Sequence, residues 1–233
     1  MRRFSVGTLL VVAVAAGCGG GNDGGGSKAS GEAAKSGAKV VADALKAANA
    51  ASAVHMSGQF AIPNGRRQHI GGVDVTLVRG KGATGTYSLD GAKADVILTG
   101  GTAYQRAGSA FWKKAGIPVQ LSGQWIKFPA QNAEFGSVAR MTSDNDLFNQ
   151  LTSEPRKPVN LGAMTYNGQN VIAVISRDPV QNVTLYVAAS GTPYPVAIKN
   201  NKSPADTFTF DRWNKPVAVT APKGAVNAHL GSG

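Results

Sequence analysis

The chain has 233 residues, of which 42% are hydrophobic and only 16% charged, with a formal net charge of +11. That balance excludes an intrinsically disordered chain, and the length suits one sizeable domain plus a tail. A single cysteine excludes an internal disulfide, so stability has to come from the core.

That cysteine also organises the N-terminus. Met1-Arg2-Arg3 is followed by an uncharged run from Phe4 to Ala16, then Gly17 and Cys18. A basic start, an apolar run and small residues before a cut are the parts of a secretory signal, and the run is shorter than the roughly 20 residues that cross a bilayer. Ala15-Ala16-Gly17-Cys18 resembles a bacterial lipobox, in which the cysteine sulfur receives a diacylglycerol. Residues 1–17 are read as a lipoprotein signal peptide and Cys18 as the lipidation site. Cleavage leaves 216 residues, 233 less 17, and removes Arg2 and Arg3, so the formal charge falls to +9. Each buried CH₂ of an acyl anchor contributes about 0.8 kcal/mol, so the expected location is the extracytoplasmic face of a cell membrane, held by lipid.

Residues 18–37 read as the lipidated cysteine and a Gly-rich tether, with a reach of roughly 25 Å. A chain beginning near Ala38 is expected to fold normally. From Ala38 to Ser52, Val41, Leu45 and Ala48 recur at helical spacing, with Asp43 early and Lys46 late, the order the helix dipole favours.

Strand patterns follow from Val54. Val73, Val75 and Leu77 alternate with Asp74 and Thr76; Gly85, Tyr87 and Leu89 alternate with Thr84, Thr86 and Ser88. Residues 94–98 and 103–106 come after turns at Asp90-Gly91 and Gly100-Gly101. Such short turns join antiparallel neighbours. The pattern resumes at 171–175, 183–187, 194–198 and 208–210. Between the two groups, residues 108–158 hold six of the sixteen aromatics and read as short helices or loops laid over the sheet. Within them, 144–151 has a helical pattern with Ser143 or Asp144 as its cap. The fold class is α+β, an antiparallel sheet with helices on one face.

Catalytic motifs fail. His55, His69 and His229 show no zinc-type spacing, Gly80-Lys81-Gly82 lacks the rest of a phosphate loop, and no GxSxG elbow exists. Asp144 and Asp146 lack the glycine and glutamate of a calcium loop. No cofactor or metal is expected, and no catalysis. The basic pairs sit mostly at turns, where they form a solvated rim or attract anionic head groups at about 1 kcal/mol each. No nucleic-acid module is visible.

The order of motifs resembles the actinobacterial lipoproteins of the LppX/LprG type, which share the fold of the periplasmic carrier LolA. The similarity runs from about Leu45 to Pro222. It rests on the lipobox, the Gly-rich tether and an Ala-rich helix leading into Ser52-Ala53-Val54-His55-Met56-Ser57-Gly58. Gly101-Thr102-Ala103-Tyr104, Phe111-Trp112-Lys113 and Gly123-Gln124-Trp125-Ile126-Lys127 follow. Tyr186-Val187-Ala188, Gly191-Thr192-Pro193-Tyr194-Pro195-Val196 and Phe210-Asp211-Arg212-Trp213-Asn214-Lys215-Pro216-Val217 complete it. The resemblance implies a LolA-like domain over 38–222, a flexible tail over 223–233, and a strongly curved half-barrel sheet with helices on its concave side. It implies a lipid or glycolipid ligand between sheet and helices, and leaves an envelope transporter as a further candidate partner. Candidate cavity liners are Leu45, Tyr87, Phe111, Trp112, Phe135, Leu147, Phe148, Leu151 and Leu185, with plain core the favoured reading for any one of them taken singly. The chain departs from the family in a longer, more aromatic insert, 108–129, placed to line such a cavity or to fill it. A non-catalytic interaction or sensor module with a closed core is the alternative.

Overall fold

Twelve strands form one open sheet in the computed structural model, which describes residues 31–64, 67–116, 119–130, 157–177, 182–203 and 206–227. In chain order they are β1 (Ala53–Asn64), β2 (Arg67–Val78), β3 (Gly82–Leu89), β4 (Ala92–Thr99), β5 (Thr102–Ala107), β6 (Trp125–Pro129), β7 (Pro158–Tyr166), β8 (Gln169–Ser176), β9 (Val183–Ala188), β10 (Pro195–Asn200), β11 (Thr207–Asp211) and β12 (Val226–Asn227). The spatial order is β12-β6-β5-β4-β3-β2-β1-β11-β10-β9-β8-β7. Two meanders, β1 to β6 and β7 to β11, therefore join through β1 and β11, whose paired residues Ser57 and Thr209 lie 152 positions apart in the chain. Helix α1 (Gly37–Ala50) and helix α2 (Ser109–Ala115) complete the architecture.

The two faces of the sheet follow from strand alternation. One row of cross-strand partners reads Met56, Val75, Gly85, Val96, Gln105, Ile126, and all but Gly85 are buried. The adjacent row points the other way and reads Ser57, Asp74, Thr86, Asp95, Arg106, Trp125. On that polar face the Arg106 guanidinium is bonded to Asp95 at 2.7 Å and lies over the Trp125 ring at 4.8 Å.

Both helices pack on the apolar face. Val40, Val41, Ala44 and Ala48 of α1 share one core with Met56, Ile172, Val174 and Leu185 of the sheet, and α1 lies against β7, β8 and β10. Alanine and glycine on α1 permit this close approach: a Cβ on Gly37 would come within 2.5 Å of the Pro158 carbonyl oxygen. Helix α2 packs across β3, β4 and β5 and buries Phe111 and Trp112. It ends at Gly116, whose left-handed φ of 71° closes the helix.

Several sequence expectations are revised. The stretch 108–158, read as helices or loops over the sheet, contains β6 and begins β7, so part of it extends the sheet itself. The parallel pair β12–β6 makes the sheet mixed and not purely antiparallel, and it draws Val226 and Asn227 of the C-terminal segment onto its edge. The end of the stretch read as tether is folded: Gly31–Ala34 is a 3-10 turn, and Ser36 caps α1. Asn160 Nδ2 donates to the carbonyls of Glu32, Ala33 and Lys35 and holds that turn to β7. The expected helix at 144–151 lies outside the described residues. No described helix is long and apolar enough to cross a membrane.

Candidate functional site

Aromatic side chains form a continuous row across the apolar face, between the regions covered by α1 and α2. It starts at Phe208 on β11, which stacks on Phe60 of β1 with ring centres 6.1 Å apart. Phe60 meets Tyr87 of β3 at 6.4 Å, and Tyr87 meets the edge of Phe111 at 5.9 Å. Phe111 stands edge-on to Trp112 at 5.3 Å, an interplanar angle of 84°. Offset and edge-to-face pairs of this kind contribute about 0.5–1.5 kcal/mol each beyond the area they bury.

Two glycines seat the outer rings. Gly58 lies opposite Phe208, and a Cβ there would come within 2.7 Å of that ring. Gly71 lies opposite Phe60, and its Cβ would come within 2.7 Å of that ring. A ring lying over a cross-strand glycine fills the space the missing side chain leaves. Phe208, Phe60 and Tyr87 remain partly exposed, while Phe111 and Trp112 are buried. The row therefore runs from partly open apolar surface into the core under α2.

Two polar groups interrupt this apolar territory. Gln105 is 2% exposed in the inward row between Val96 and Ile126. Trp112 is fully buried, and its Nε1 has no hydrogen-bond partner among the described residues.

Tyr87, Phe111 and Trp112, named from the sequence, thus come together in one row. Leu45, partly buried on α1, and Leu185, buried on β9, lie on the same face toward α1. Phe135, Leu147, Phe148, Leu151 and Cys18 lie outside the described residues. Phe60, Phe208 and Gln105 were not singled out in the sequence. The signal for Phe60 was present, since Val54, Met56, Gly58, Phe60 and Ile62 share one parity in β1.

The histidines lie elsewhere. His55 is on the polar face, where Nδ1 bonds Asp211 at 2.5 Å and Nε2 bonds Asp74 at 2.8 Å. His69 Nδ1 bonds Asp90, whose carboxylate also accepts from the Ile70 backbone N–H at 2.8 Å. The Ile70 N–H first, and then His69, hold the Asp90 carboxyl below the usual carboxylate range. Burial pushes the Tyr186 phenol up, with the stacked Tyr166 adding to it. Among the described residues no cluster of histidine, cysteine, aspartate and glutamate could hold a metal ion. Some of the basic rim is structural: Arg79 donates to the carbonyls of Ala51 and Asn49 and closes the C-terminus of α1.

This fold is similar to that of two solved mycobacterial proteins. LprF from Mycobacterium bovis superposes with a TM-score of 0.53 at 15% identity, over 80% of this chain and 96% of that one. The Mycobacterium tuberculosis lipoprotein LppX does so with a TM-score of 0.50 at 14% identity, over 78% of this chain and 97% of that one. A LolA-superfamily protein from Nitrosomonas europaea overlaps only loosely, at a TM-score of 0.27 and 9% identity, over 76% of this chain and 91% of that one. No family model and no curated protein sequence matches the chain.

Proposed function

We propose that this chain is a lipid-anchored envelope lipoprotein that binds an acyl chain of a lipid or glycolipid on the aromatic face between its sheet and its helices. The observation that carries this reading is the row Phe208–Phe60–Tyr87–Phe111–Trp112, apolar along its length and partly exposed at one end. The fold shared with LprF and LppX supports it. No catalytic role is proposed.

The energetics suit a carrier. One acyl chain moved out of water contributes on the order of 10 kcal/mol at about 0.8 per CH₂. A chain taken from a bilayer was buried already, so the net hydrophobic gain is near zero and loading is reversible. Selectivity then has to come from polar contacts and from shape.

Mass spectrometry of an organic extract from purified protein tests the reading. Acyl lipid co-purifying in near-stoichiometric amount is expected from wild type, and less of it from Phe60→Ala or Tyr87→Ala. Protein that carries no lipid and takes none up from vesicles would reject it. That result would favour the interaction module, for which the exposed Leu161 and Met164 on the edge strand β7 are the observation to follow.

A further inference from the structure

Strand direction sorts the strand ends into two rims. The β1–β2, β3–β4 and β10–β11 turns lie at one rim, with the ends of β5 and β8 and the start of β7. The chain enters the fold there. Gly37, at the start of α1, lies against Pro158, and Asn160 holds the Gly31–Ala34 turn. Toward this rim the apolar face also opens. The row Met56, Val75, Val96, Gln105, Ile126 is buried. In the next row Phe208 and Tyr87 are partly exposed, and in the last Phe60, Leu89 and Ala92 are, with Ile62 beyond them.

The same rim is basic. Lys93 follows the β3–β4 turn, Lys157 precedes β7, Arg177 follows β8 and Lys202 lies in the β10–β11 turn, all exposed. The acids there, among the described residues, are engaged within the fold. Asp90 accepts from the Ile70 N–H and pairs with His69, and Asp206 accepts from the Ala61 N–H and Asn200. Glu32 and Asp43 are bridged by Lys35 and Lys39. The opposite rim carries Lys46, Lys81 and Lys215, so charge by itself does not choose between the two. The apolar opening and the entry of the chain do. Gly31 follows Cys18 by thirteen positions, and Gly-rich sequence of that length reaches roughly 20 Å. The 12-residue strands β1 and β2 separate the rims by about 40 Å. A bilayer that holds an acylated Cys18 therefore lies nearest the rim where the chain enters.

We propose that this rim is a membrane-docking surface that seats Lys93, Lys157 and Lys202 on anionic phospholipid head groups, with the opening beside Phe60 and Ile62 turned toward the bilayer. An acyl chain then passes between bilayer and aromatic row without crossing water. The inference rests on the lipid-anchored reading and adds to it a partner surface and an orientation.

The test reads lysine labelling. Mature acylated protein is placed on vesicles of phosphatidylglycerol or of phosphatidylcholine, reacted with a water-soluble amine reagent and mapped by mass spectrometry. Lys93, Lys157 and Lys202 are expected to label several-fold more slowly on phosphatidylglycerol than on phosphatidylcholine, and Lys46, Lys81 and Lys215 equally on both. Raising the salt should remove the difference. Equal labelling of all six on both vesicles overturns the inference, and so does protection of Lys46, Lys81 and Lys215 instead. Protein carrying Cys18→Ala isolates the rim from the anchor, and it should still sediment with phosphatidylglycerol vesicles. Adding Lys93→Glu and Lys202→Glu should weaken that binding by about 25-fold or more, roughly fivefold for each charge removed. Lys46→Glu with Lys81→Glu changes net charge by the same amount and should weaken it far less; equal losses from the two pairs overturn the docking rim. Intact mass reports the anchor and organic extraction reports the ligand, so failure of either reading is told apart from failure of this one.

Discussion

Gly58 and Gly71 matter because of what lies on them. Each is the cross-strand seat of an aromatic ring, Phe208 and Phe60 respectively, so a methyl group at either position must displace a ring and not merely fill a gap. Gly71→Ala is expected to cost about 1–3 kcal/mol, as overpacking does, read as a lower Tm together with loss of the Phe60–Tyr87 contact. Asp90 carries a pH-dependent contribution. Its folded carboxyl titrates below the ordinary 3.8, so the stability it adds is present above that value and lost as pH falls through the lower folded one. Asp90→Asn keeps an oxygen for the Ile70 N–H but cannot titrate. Its Tm should therefore fall less steeply than that of wild type from about pH 4 downward; parallel curves would show that the Asp90 shift contributes nothing.

At the scale of elements, the N-terminal end of the fold is the clearest departure from expectation. Composition alone makes residues 31–37 look like tether. Yet Asn160 clamps the Gly31–Ala34 turn, Ser36 caps α1, and Lys35 bridges Glu32 and Asp43. A chain beginning at Ala38 loses the cap, worth about 1 kcal/mol, and the clamp besides. For a domain this size each kcal/mol is about 2–4 °C, so its Tm should drop by roughly 4–8 °C relative to a chain beginning at Gly31. Asn160→Ala should give part of that drop, and an unchanged Tm in both would mean the turn rests on β7 without holding it. β6 and β7 were harder to read than the other strands for a related reason. Trp125–Pro129 is a short edge-side strand beside a strongly aromatic stretch, and the burial pattern of Pro158–Tyr166 has little alternation because it is the terminal strand of the sheet.

At the scale of the whole molecule, the proposed anchor and the proposed site make separable predictions. Cys18→Ala should abolish acylation and release the protein from the membrane while leaving the aromatic row intact. Fractionation with intact-mass measurement checks this, and variant protein as firmly membrane-bound and as heavy as wild type would refute the lipidation. Much of the architecture was legible from local pattern. Alternation with period two marked β2 and β3, short runs between turns marked β4, β5 and β8 to β11, and the 3.6-residue recurrence marked α1, because those periods are imposed by one strand or one helix burying one face. The motif order also pointed to the LppX type of fold that the superpositions with LprF and LppX reproduce. The sequence by itself determined these elements, their polar and apolar faces, and Tyr87, Phe111 and Trp112 as residues to watch. It could not place Phe60 and Phe208 in the row, because that needs the long-range pairing of β1 with β11, which closes a loop of some 150 residues. Nor could it show that Trp112 is fully buried with no hydrogen-bond partner for its N–H among the described residues, or that Gln105 is buried in the inward row. Periodicity reports which face a residue occupies, whereas hydrogen-bond satisfaction depends on what arrives opposite it, and only the tertiary structure decides that.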